Sequence, residues 1–290
     1  MPEFLQFLFS GLTIGAIYAL VALGFTLIYN ASDVINFAQG EFVMIGGMVT
    51  FVAVAAGIPL PIAALIALVA AIIIGMLLHI LAIEPAKGAS PVTLIIITIG
   101  ASIFLRGVAA VVFDKNYHSY PPFAGADPIR IGGATILPQS LIVLLGTLLI
   151  VLALWGLMTK TMVGKAMTAT AANRLAARLV GINTAAIVGL SFGVSAAIGA
   201  IGGILVTPIT LTNYEVGTLL ALKGFAAAML GGMGNPVGAV IGGLLVGLLE
   251  TFGAGYVSSA YKDAIAFLVI LAVLFVMPQG LFGRAGVERV

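Results

Sequence analysis

The side chains that could do chemistry in this sequence are amides and charged groups placed within long apolar stretches. Amides and carboxylates can hydrogen-bond a polar solute, and an arginine offers a fixed cation to an anionic group. Polar groups inside a membrane-spanning segment are costly and are therefore functional candidates by default. The candidates for the lining of a solute pathway are Asn36, Gln39, Glu41, Arg106, Asn235 and Glu250.

The first group of candidates lies in INFAQGEFVMIGG, Ile35 to Gly47. A turn at the membrane surface would explain the polar residues from Asn30 to Asp33 without any function. It explains Asn36, Gln39 and Glu41 less well, because they alternate with apolar residues typical of the next membrane segment. A glutamine can hydrogen-bond but cannot titrate, so we predict no proton relay at this position.

A second interruption is LGGMGNPVGAVIGG, Leu230 to Gly243, where glycines, Asn235 and Pro236 break an apolar run. Irregular backbone at membrane depth is tolerated only where it is buried in protein or lines a wet cavity, and paired interrupted helices point to a transport site. One interpretation is that this segment pairs with Ile35 to Gly47. Shared glycine-rich composition is the alternative explanation.

Arg106 lies in TIGASIFLRGVAAVVF, about two helical turns from the end of its predicted membrane segment. Its long side chain could snorkel to the membrane surface. It could instead pair with an acid from another segment, for which the candidates are Glu41, Glu215 and Glu250. The third alternative is that it binds the carboxylate of a solute.

The composition is that of an integral membrane protein. Of the 290 residues, 62% are hydrophobic and 8% are charged, against about 25% charged in soluble domains. Cysteine is absent and only His79 and His118 are histidines, so we expect no metal site and no cofactor in this chain. No GxxxxGK[ST], HExxH or GxSxG motif occurs, so an energy source must come from elsewhere. No basic patch is large enough to bind nucleic acid.

Apolar runs of about 20 residues predict an all-α, polytopic bundle that forms one transmembrane domain over residues 1–290. The seventh run is short, so the count is nine segments if it crosses fully and eight if it is re-entrant. The predicted segments are Phe4 to Tyr29, Phe37 to Ala56, Pro59 to Ile83, Val92 to Phe113, Gln139 to Met158, Thr184 to Leu211, Leu219 to Met233, Pro236 to Ala254 and Ala264 to Met277.

The interval Thr159 to Asn183 is the long central stretch that does not resemble a membrane span. It is Ala-rich with no proline, so we predict a short helix from Ala169 to Val180 that ends at Gly181. Such a helix could lie among lipid headgroups or dock on a partner. Its cations are Lys160, Lys165, Arg174 and Arg178.

Cytoplasmic loops carry an excess of lysine and arginine, so the basic interval sets the orientation of the chain. Counted from this interval, Lys165 and, with nine segments, Arg284 are predicted to be cytoplasmic. His118, in the loop from Asp114 to Pro138, is predicted to be periplasmic, as is the N-terminus.

Four stretches together resemble the LivH type of branched-chain amino-acid permease, a membrane subunit of ABC importers. The motifs are GLTIGAIYALVALGFTLIY at Gly11 to Tyr29, INFAQGE at Ile35 to Glu41, LVGIN at Leu179 to Asn183, and LKGFAAAMLGGMGNPVGAVIGGLLVGLLE at Leu222 to Glu250. The chain departs from the family at Gln39, where a histidine is usual, and at Arg106, where many members have glutamine. It also has Ala172 and Asn173 where the family often has an acidic pair.

The resemblance implies that residues 159–183 form a coupling loop whose helix sits in a cleft of a cytoplasmic ATPase. The residues expected to make or support that contact are Lys165, Ala169, Arg174, Ala177, Arg178 and Gly181. It also implies a second, homologous permease subunit or a homodimer, two ATPase subunits and a periplasmic substrate-binding protein.

We therefore predict a multi-pass permease subunit of an ABC importer for branched-chain or other amino acids, located in a bacterial inner membrane. A permease of the same class for urea, short amides or aromatic carboxylates is the alternative within this class. A self-contained channel or ion-coupled carrier would need no ATPase. A membrane-embedded enzyme is disfavoured, because no convergent His, Asp and Glu residues are apparent.

Overall fold

The computed structural model describes residues 2–125 and 127–283, and its regular structure is mostly helical. Eleven α-helices and one short β-hairpin occur in this part of the chain. The helices are α1 Pro2–Ser32, α2 Gln39–Ala55, α3 Leu60–Leu78, α4 Pro91–Val112, α5 Pro138–Lys160, α6 Met162–Ala172, α7 Arg174–Leu179, α8 Thr184–Thr210, α9 Val216–Gly231, α10 Pro236–Tyr256 and α11 Lys262–Val276. The strands are β1 Ile129–Ile131 and β2 Ala134–Ile136.

All nine predicted apolar segments form helices. Seven are long and apolar enough to cross a membrane, and this count includes α3 together with its π-helical continuation His79–Ile83. The two shorter ones are α2, with 17 residues, and α9, with 16. The sequence analysis identified only the seventh segment, α9, as short. The structure shows that the second segment, α2, is short as well.

The two ends of the bundle can be told apart by the elements that lie there, α6 and α7 at one end and the β-hairpin at the other. The basic end contains α6 and α7, and a small cavity there joins Ser32, Glu84, Arg174 and Thr184, which belong to the ends of different elements. At the opposite end, Gln6 near the start of α1 contacts the hairpin. Successive apolar helices run alternately between these ends. The last described residues lie at the basic end, since Phe282 donates its N–H to the carbonyl of Gly231. This arrangement fits nine segments; Arg284 itself lies outside the described residues.

Helix α1 forms the centre of the bundle and is buried along most of its length. It packs against α10 through glycines, because Gly15 has the backbone of Leu244 directly against it and Gly247 lies on Gly15 in return. Small residues allow helix backbones to approach closely, which is the main source of packing energy in lipid. By contrast, α4, α5 and α11 expose most of their apolar side chains, as expected of helices that face lipid.

The loop between α4 and α5 contains the hairpin, which the prediction did not include. Ile129 pairs with Ile136 in antiparallel register, and Gly132 and Gly133 supply the two positive φ angles of the turn, +58° and +86°. Positive φ at both central positions is the geometry of a tight hairpin turn, which glycine adopts without strain.

The prediction of one helix from Ala169 to Val180 was wrong. The interval folds as α6 and α7, which are separated at Asn173. Asn173 leaves the helical region with φ −161° and accepts a hydrogen bond from the N–H of Ala176 at 3.0 Å. Asparagine is a favoured N-cap because its side-chain oxygen satisfies an otherwise unpaired N–H of the first turn. The Ala-rich composition alone did not reveal this cap.

Candidate solute pathway and coupling surface

The chain turns back into the bundle after α1. Residues 33–38 are irregular, and the ring of Phe37 lies 5.2 Å from that of Phe225 and 6.1 Å from that of Phe25. Phe25 is seven residues before the end of α1, about 10 Å along the helix. Helix α2 therefore begins inside the bundle and not at its surface.

Side chains satisfy the backbone of this re-entrant segment. The Thr98 hydroxyl of α4 accepts from the N–H of Phe37 at 3.2 Å and lies 3.2 Å from the Ile35 carbonyl, to which it can donate. The side-chain oxygen of Asn36 accepts from the N–H of Ala38 at 3.1 Å. Irregular backbone in a membrane needs such partners because lipid supplies none.

A second re-entrant segment follows α8, at residues 211–215. Leu211 has φ +65°, and Thr212 exchanges two backbone hydrogen bonds of 2.8 Å with His118 at the opposite end. From there the chain enters the bundle, where the Asn213 side chain accepts from the N–H of Glu215 before α9 begins. The chain therefore contains two short helices, α2 and α9, that both start at a break.

The N-termini of α2 and α9 meet. Gly40 and Gly217 are each the second residue of their helix, and each backbone occupies the space where the other would place a Cβ atom. The matching break predicted at Leu230 to Gly243 was wrong. That segment is the turn between α9 and α10, at the level of Asn30, whose amide donates to the carbonyl of Gly234 at 2.9 Å. The break that pairs with residues 33–38 is instead at residues 211–215. This segment contains no glycine, so the sequence did not indicate it.

Glu41, the third residue of α2, is fully buried at this meeting point. Its Oε1 accepts from the Ser102 hydroxyl of α4 at 2.7 Å. Its Oε2 has no hydrogen-bond partner among the described residues and lies against Gly217 at the start of α9. A carboxylate at the N-terminus of a helix is stabilised by the helix dipole. The carboxylate of Glu41 lies at the N-termini of both α2 and α9, so both dipoles stabilise it.

Arg106 points towards the same place. Its Nη1 donates to the hydroxyl of Thr218, the third residue of α9, at 2.9 Å, and its charge acts on the Glu41 carboxylate. No acidic group of the described residues lies within 4.0 Å of it. The direct pairing with Glu41, Glu215 or Glu250 considered from the sequence is therefore not present in this state. Arg106 is partly exposed, and its hydrogen bond to Thr218 ties its side chain to α9.

The side chain of Gln39 has a structural role. Its amide nitrogen donates to the carbonyl of Ser195 at 3.2 Å, and its oxygen accepts from the Ser195 hydroxyl at 2.6 Å. The Ser195 hydroxyl also lies 2.9 Å from the carbonyl of Gly24. The group joins α1, α2 and α8 near the middle of α8, so Gln39 fixes the start of α2 through hydrogen bonds that an apolar residue could not make.

The remaining two candidates lie away from the meeting point. Asn235 caps α10, since its oxygen accepts from the N–H groups of Val237 and Gly238. Glu250 is buried and accepts from the Tyr18 hydroxyl at 2.7 Å and from Lys223 at 2.8 Å.

Lys223 is a mostly buried charge, with 12% of its side chain exposed, that the sequence analysis missed. It bridges Glu250 and Asp263, at 2.8 and 2.7 Å, and Lys262 lies 3.4 Å from Glu250. The cluster contains two acids and two bases, so its charges balance and it needs no external ion. Lys223 directly follows the exposed Leu222, and nothing in the spacing of the sequence indicated that an acid from α10 would face it. Within the described residues, no group of three or more His, Asp or Glu side chains is placed to hold a metal ion.

At the basic end, the two arginines of α7 face the bundle. Arg174 donates to the carbonyl of Ala31 at the end of α1, at 2.7 Å, and Arg178 donates to the Thr184 hydroxyl at the start of α8, at 2.8 Å. Three apolar residues of α7 and its end are strongly exposed, as Arg178 also is: Leu175, Leu179 and Val180 are 68%, 81% and 77% exposed. We call these three residues the apolar tip.

The other predicted coupling residues differ in how far they are exposed. Lys165 and Gly181 are exposed, Ala169 is half-buried and Ala177 is buried. Gly181 ends α7, as predicted. It has φ +88° and donates to the Arg178 carbonyl, while Ile182 donates to that of Ala177. This bond pair is the usual glycine-terminated helix end.

The loop at the opposite end holds the second re-entrant segment in place. The Asp114 carboxylate accepts from the N–H of Asn116 at 2.6 Å and lies 3.0 Å from the His118 ring. The hydrogen bond from Asn116 has the largest effect on the pKa of Asp114, which it lowers, and the bond with His118 lowers it further. The His118 ring also stacks on Phe51 at 4.1 Å. The backbone bridge from His118 to Thr212 is thus fixed on two sides.

A bundle of apolar helices with two short helices meeting inside it, and with charged groups at their junction, defines a polytopic membrane protein of the permease class. Comparison with known sequences identifies the family. Residues 7–274 match the family model described as the branched-chain amino acid transport system permease component, and the chain belongs to this family.

Two relatives align over almost their whole length. The high-affinity branched-chain amino acid transport system permease protein LivH of Salmonella typhimurium is 35% identical over 99% of this chain and 98% of its own. The corresponding protein BraD of Pseudomonas aeruginosa is 34% identical over the full length of both chains. Among solved structures, PsaBC from Streptococcus pneumoniae in complex with Fab matches with TM-score 0.51 and 15% identity, covering 97% of this chain and 94% of that chain. This last likeness concerns the fold alone.

Proposed function

We propose that this chain is the permease subunit of an ABC importer that carries branched-chain amino acids into a bacterium across its cytoplasmic membrane. The observation that carries the proposal is the near-complete alignment with the LivH and BraD permeases. The junction of α2 and α9 supports it, because helix ends that meet at membrane depth provide polar groups for a solute where lipid provides none.

The partners follow from what the chain lacks and exposes. Its sequence has no phosphate-binding loop, so two ATPase subunits would supply the energy. A binding protein would deliver the solute at the end that carries the hairpin. A second permease subunit, identical or homologous, would cover the side of α4 next to Arg106, where Ile103 and Phe104 are exposed. That surface would then be part of an internal pathway and not of the lipid boundary.

The apolar tip of α7 would enter the cleft of an ATPase. Its exposed leucines and valine suit a hydrophobic pocket, whereas Arg174 and Arg178 donate hydrogen bonds to acceptors on the bundle. Arg174 holds the end of α1, which leads into the first re-entrant segment. Movement of the tip by the ATPase would therefore pull on the start of α2 and rock it against α9.

Transport by the reconstituted importer tests the function. The complex of this chain with its co-purified ATPase and second permease, in proteoliposomes with the cognate binding protein, should accumulate labelled leucine only when ATP is present on the ATPase side. Accumulation of leucine by this chain alone, driven by an ion gradient, would identify a carrier instead. Accumulation of urea but not leucine would assign the other solute class.

Substitution at the tip tests the docking surface. Ala176 is exposed beside the tip, so Ala176→Trp should leave the bundle intact and abolish substrate-stimulated ATP hydrolysis, because the ring keeps α7 out of its cleft. Ala177→Trp is the poorer test since Ala177 is buried. The matched control is Ala172→Trp, exposed at the end of α6. Normal stimulated hydrolysis in the Ala176→Trp complex would refute docking through this face.

A further inference from the structure

Among the described residues, Arg106 has no acidic partner within 4.0 Å. Among the described membrane-spanning helices, Lys223 and Lys262 pair with acids, and Lys160 is the last residue of α5. Arg106 lies six residues before the end of α4, about 9 Å along the helix, and forms no ion pair within 4.0 Å. A charge that is kept at such a place without a partner needs an explanation.

The junction of α2 and α9 brings charges of both signs together. Each N-terminus of α2 and α9 contributes roughly half a positive charge, and the guanidinium adds a full one. Glu41 is held by Ser102 and the start of α9, and Glu215 is the exposed N-cap residue of α9. With both carboxylates counted, the charges about balance, but neither carboxylate lies within 4.0 Å of the guanidinium. Arg106 can therefore form a closer pair with a further carboxylate than it does with Glu41 or Glu215.

The guanidinium also has donors to spare. It carries five N–H groups in a planar fork, and among the described residues Thr218 accepts from only one of its nitrogens, Nη1. The side chain is partly exposed, and Gly107, the next residue, has open space around it. A planar fork with free donors binds a carboxylate through two parallel hydrogen bonds, which an ammonium group cannot do.

We propose that Arg106 is a specificity-determining residue that binds the carboxylate of the transported solute at the junction of α2 and α9. The inference rests on the proposed function, since it concerns the solute of the same pathway. It assigns the pathway to solutes with a free carboxylate and excludes neutral amides such as urea. Glu41 is a positioning residue, because it fixes the starts of the two helices around the guanidinium.

The test uses the full complex in proteoliposomes with saturating binding protein, and labelled leucine as the probe. Arg106→Gln should assemble normally yet lose at least tenfold in maximal leucine uptake. The ATP consumed per leucine should rise, which a merely structural role would not produce. Arg106→Lys keeps the charge without the planar fork of donors. Its leucine uptake should lie between that of the original complex and that of Arg106→Gln. Lys87→Gln, which neutralises an exposed lysine of the loop between α3 and α4, is the matched control and should transport normally.

The outcomes separate the inference from the function on which it rests. If the original complex does not take up leucine, the proposed function fails first. If it does, and Arg106→Gln transports leucine at the original rate, the carboxylate role is wrong. Should Arg106→Gln not assemble, Arg106→Lys decides: an assembled complex with reduced uptake supports the proposal, and one with unchanged uptake overturns it.

Discussion

Replacing a glycine where α2 and α9 cross should separate the two helices. At Gly40, an added Cβ atom would fall on the carbonyl oxygen of Gly217 and lie 2.8 Å from the Cβ of Ala221. Both obstacles belong to the frame of α9 and cannot rotate away as a flexible side chain would. Overpacking of a tight contact costs typically about 1 to 3 kcal/mol. Because backbone is displaced here, we expect Gly40→Ala to reach at least the upper part of that range.

The reverse substitution gives a second measure of the same contact. At Gly217 the added atom would meet the carboxylate of Glu41 and the carbonyl of Gly40, so Gly217→Ala should be similarly destabilising. Once one substitution has separated the helices, the other has less to displace. The double variant should therefore cost clearly less than the sum of the two single variants, as expected for residues in direct contact.

The assay is thermal unfolding of the purified protein in detergent, followed by the loss of monodisperse protein on heating. Gly107→Ala is the matched control, since it changes a glycine in α4 that has nothing within 4 Å of the added atom. Alanine has the higher helix propensity by about 1 kcal/mol, so the control should be neutral or slightly more stable. If Gly40→Ala melts with the Gly107→Ala control, then α2 and α9 do not cross in contact as described.

Three further predictions follow from the charged groups. Glu250→Gln should destabilise more than Asp263→Asn, because Glu250 is the buried acid of the cluster and Asp263 lies at its exposed edge. Lys223 keeps Asp263 as a partner in the Glu250→Gln variant, so the cost should stay below the roughly 3 to 5 kcal/mol of a buried charge left unpaired; chemical denaturation compares the two variants. Single cysteines in place of Lys165 and His118 should be labelled from opposite sides of the membrane by an impermeant maleimide, and same-side labelling would contradict the topology. Arg174→Gln should assemble but weaken the coupling of ATP hydrolysis to uptake, visible as more ATP used per leucine, while an unchanged ratio would show that its bond to Ala31 transmits nothing.

Local signals in the sequence determined the class of this protein and most of its helices. Long apolar runs can only be satisfied as helices in lipid, so the nine segments could be found by length and composition. Gly181 could be identified as a helix end because its backbone conformation depends on the residue itself. Arg106 and Glu41 stood out because charge within an apolar run is expensive wherever the run packs.

Only the tertiary structure decided what those residues face. The segment that mirrors the first re-entrant stretch is 211–215, and it is defined by where α8 ends and by its bridge to His118, a residue more than 90 positions away. Gln39 became a structural cross-link because Ser195 lies beside it, and the arginines of α7 turned inward because carbonyl and hydroxyl acceptors lie there. A sequence gives the type of each side chain, but its partner is set by contacts between distant segments. Those contacts determine whether a polar residue stabilises the fold or remains free for a solute.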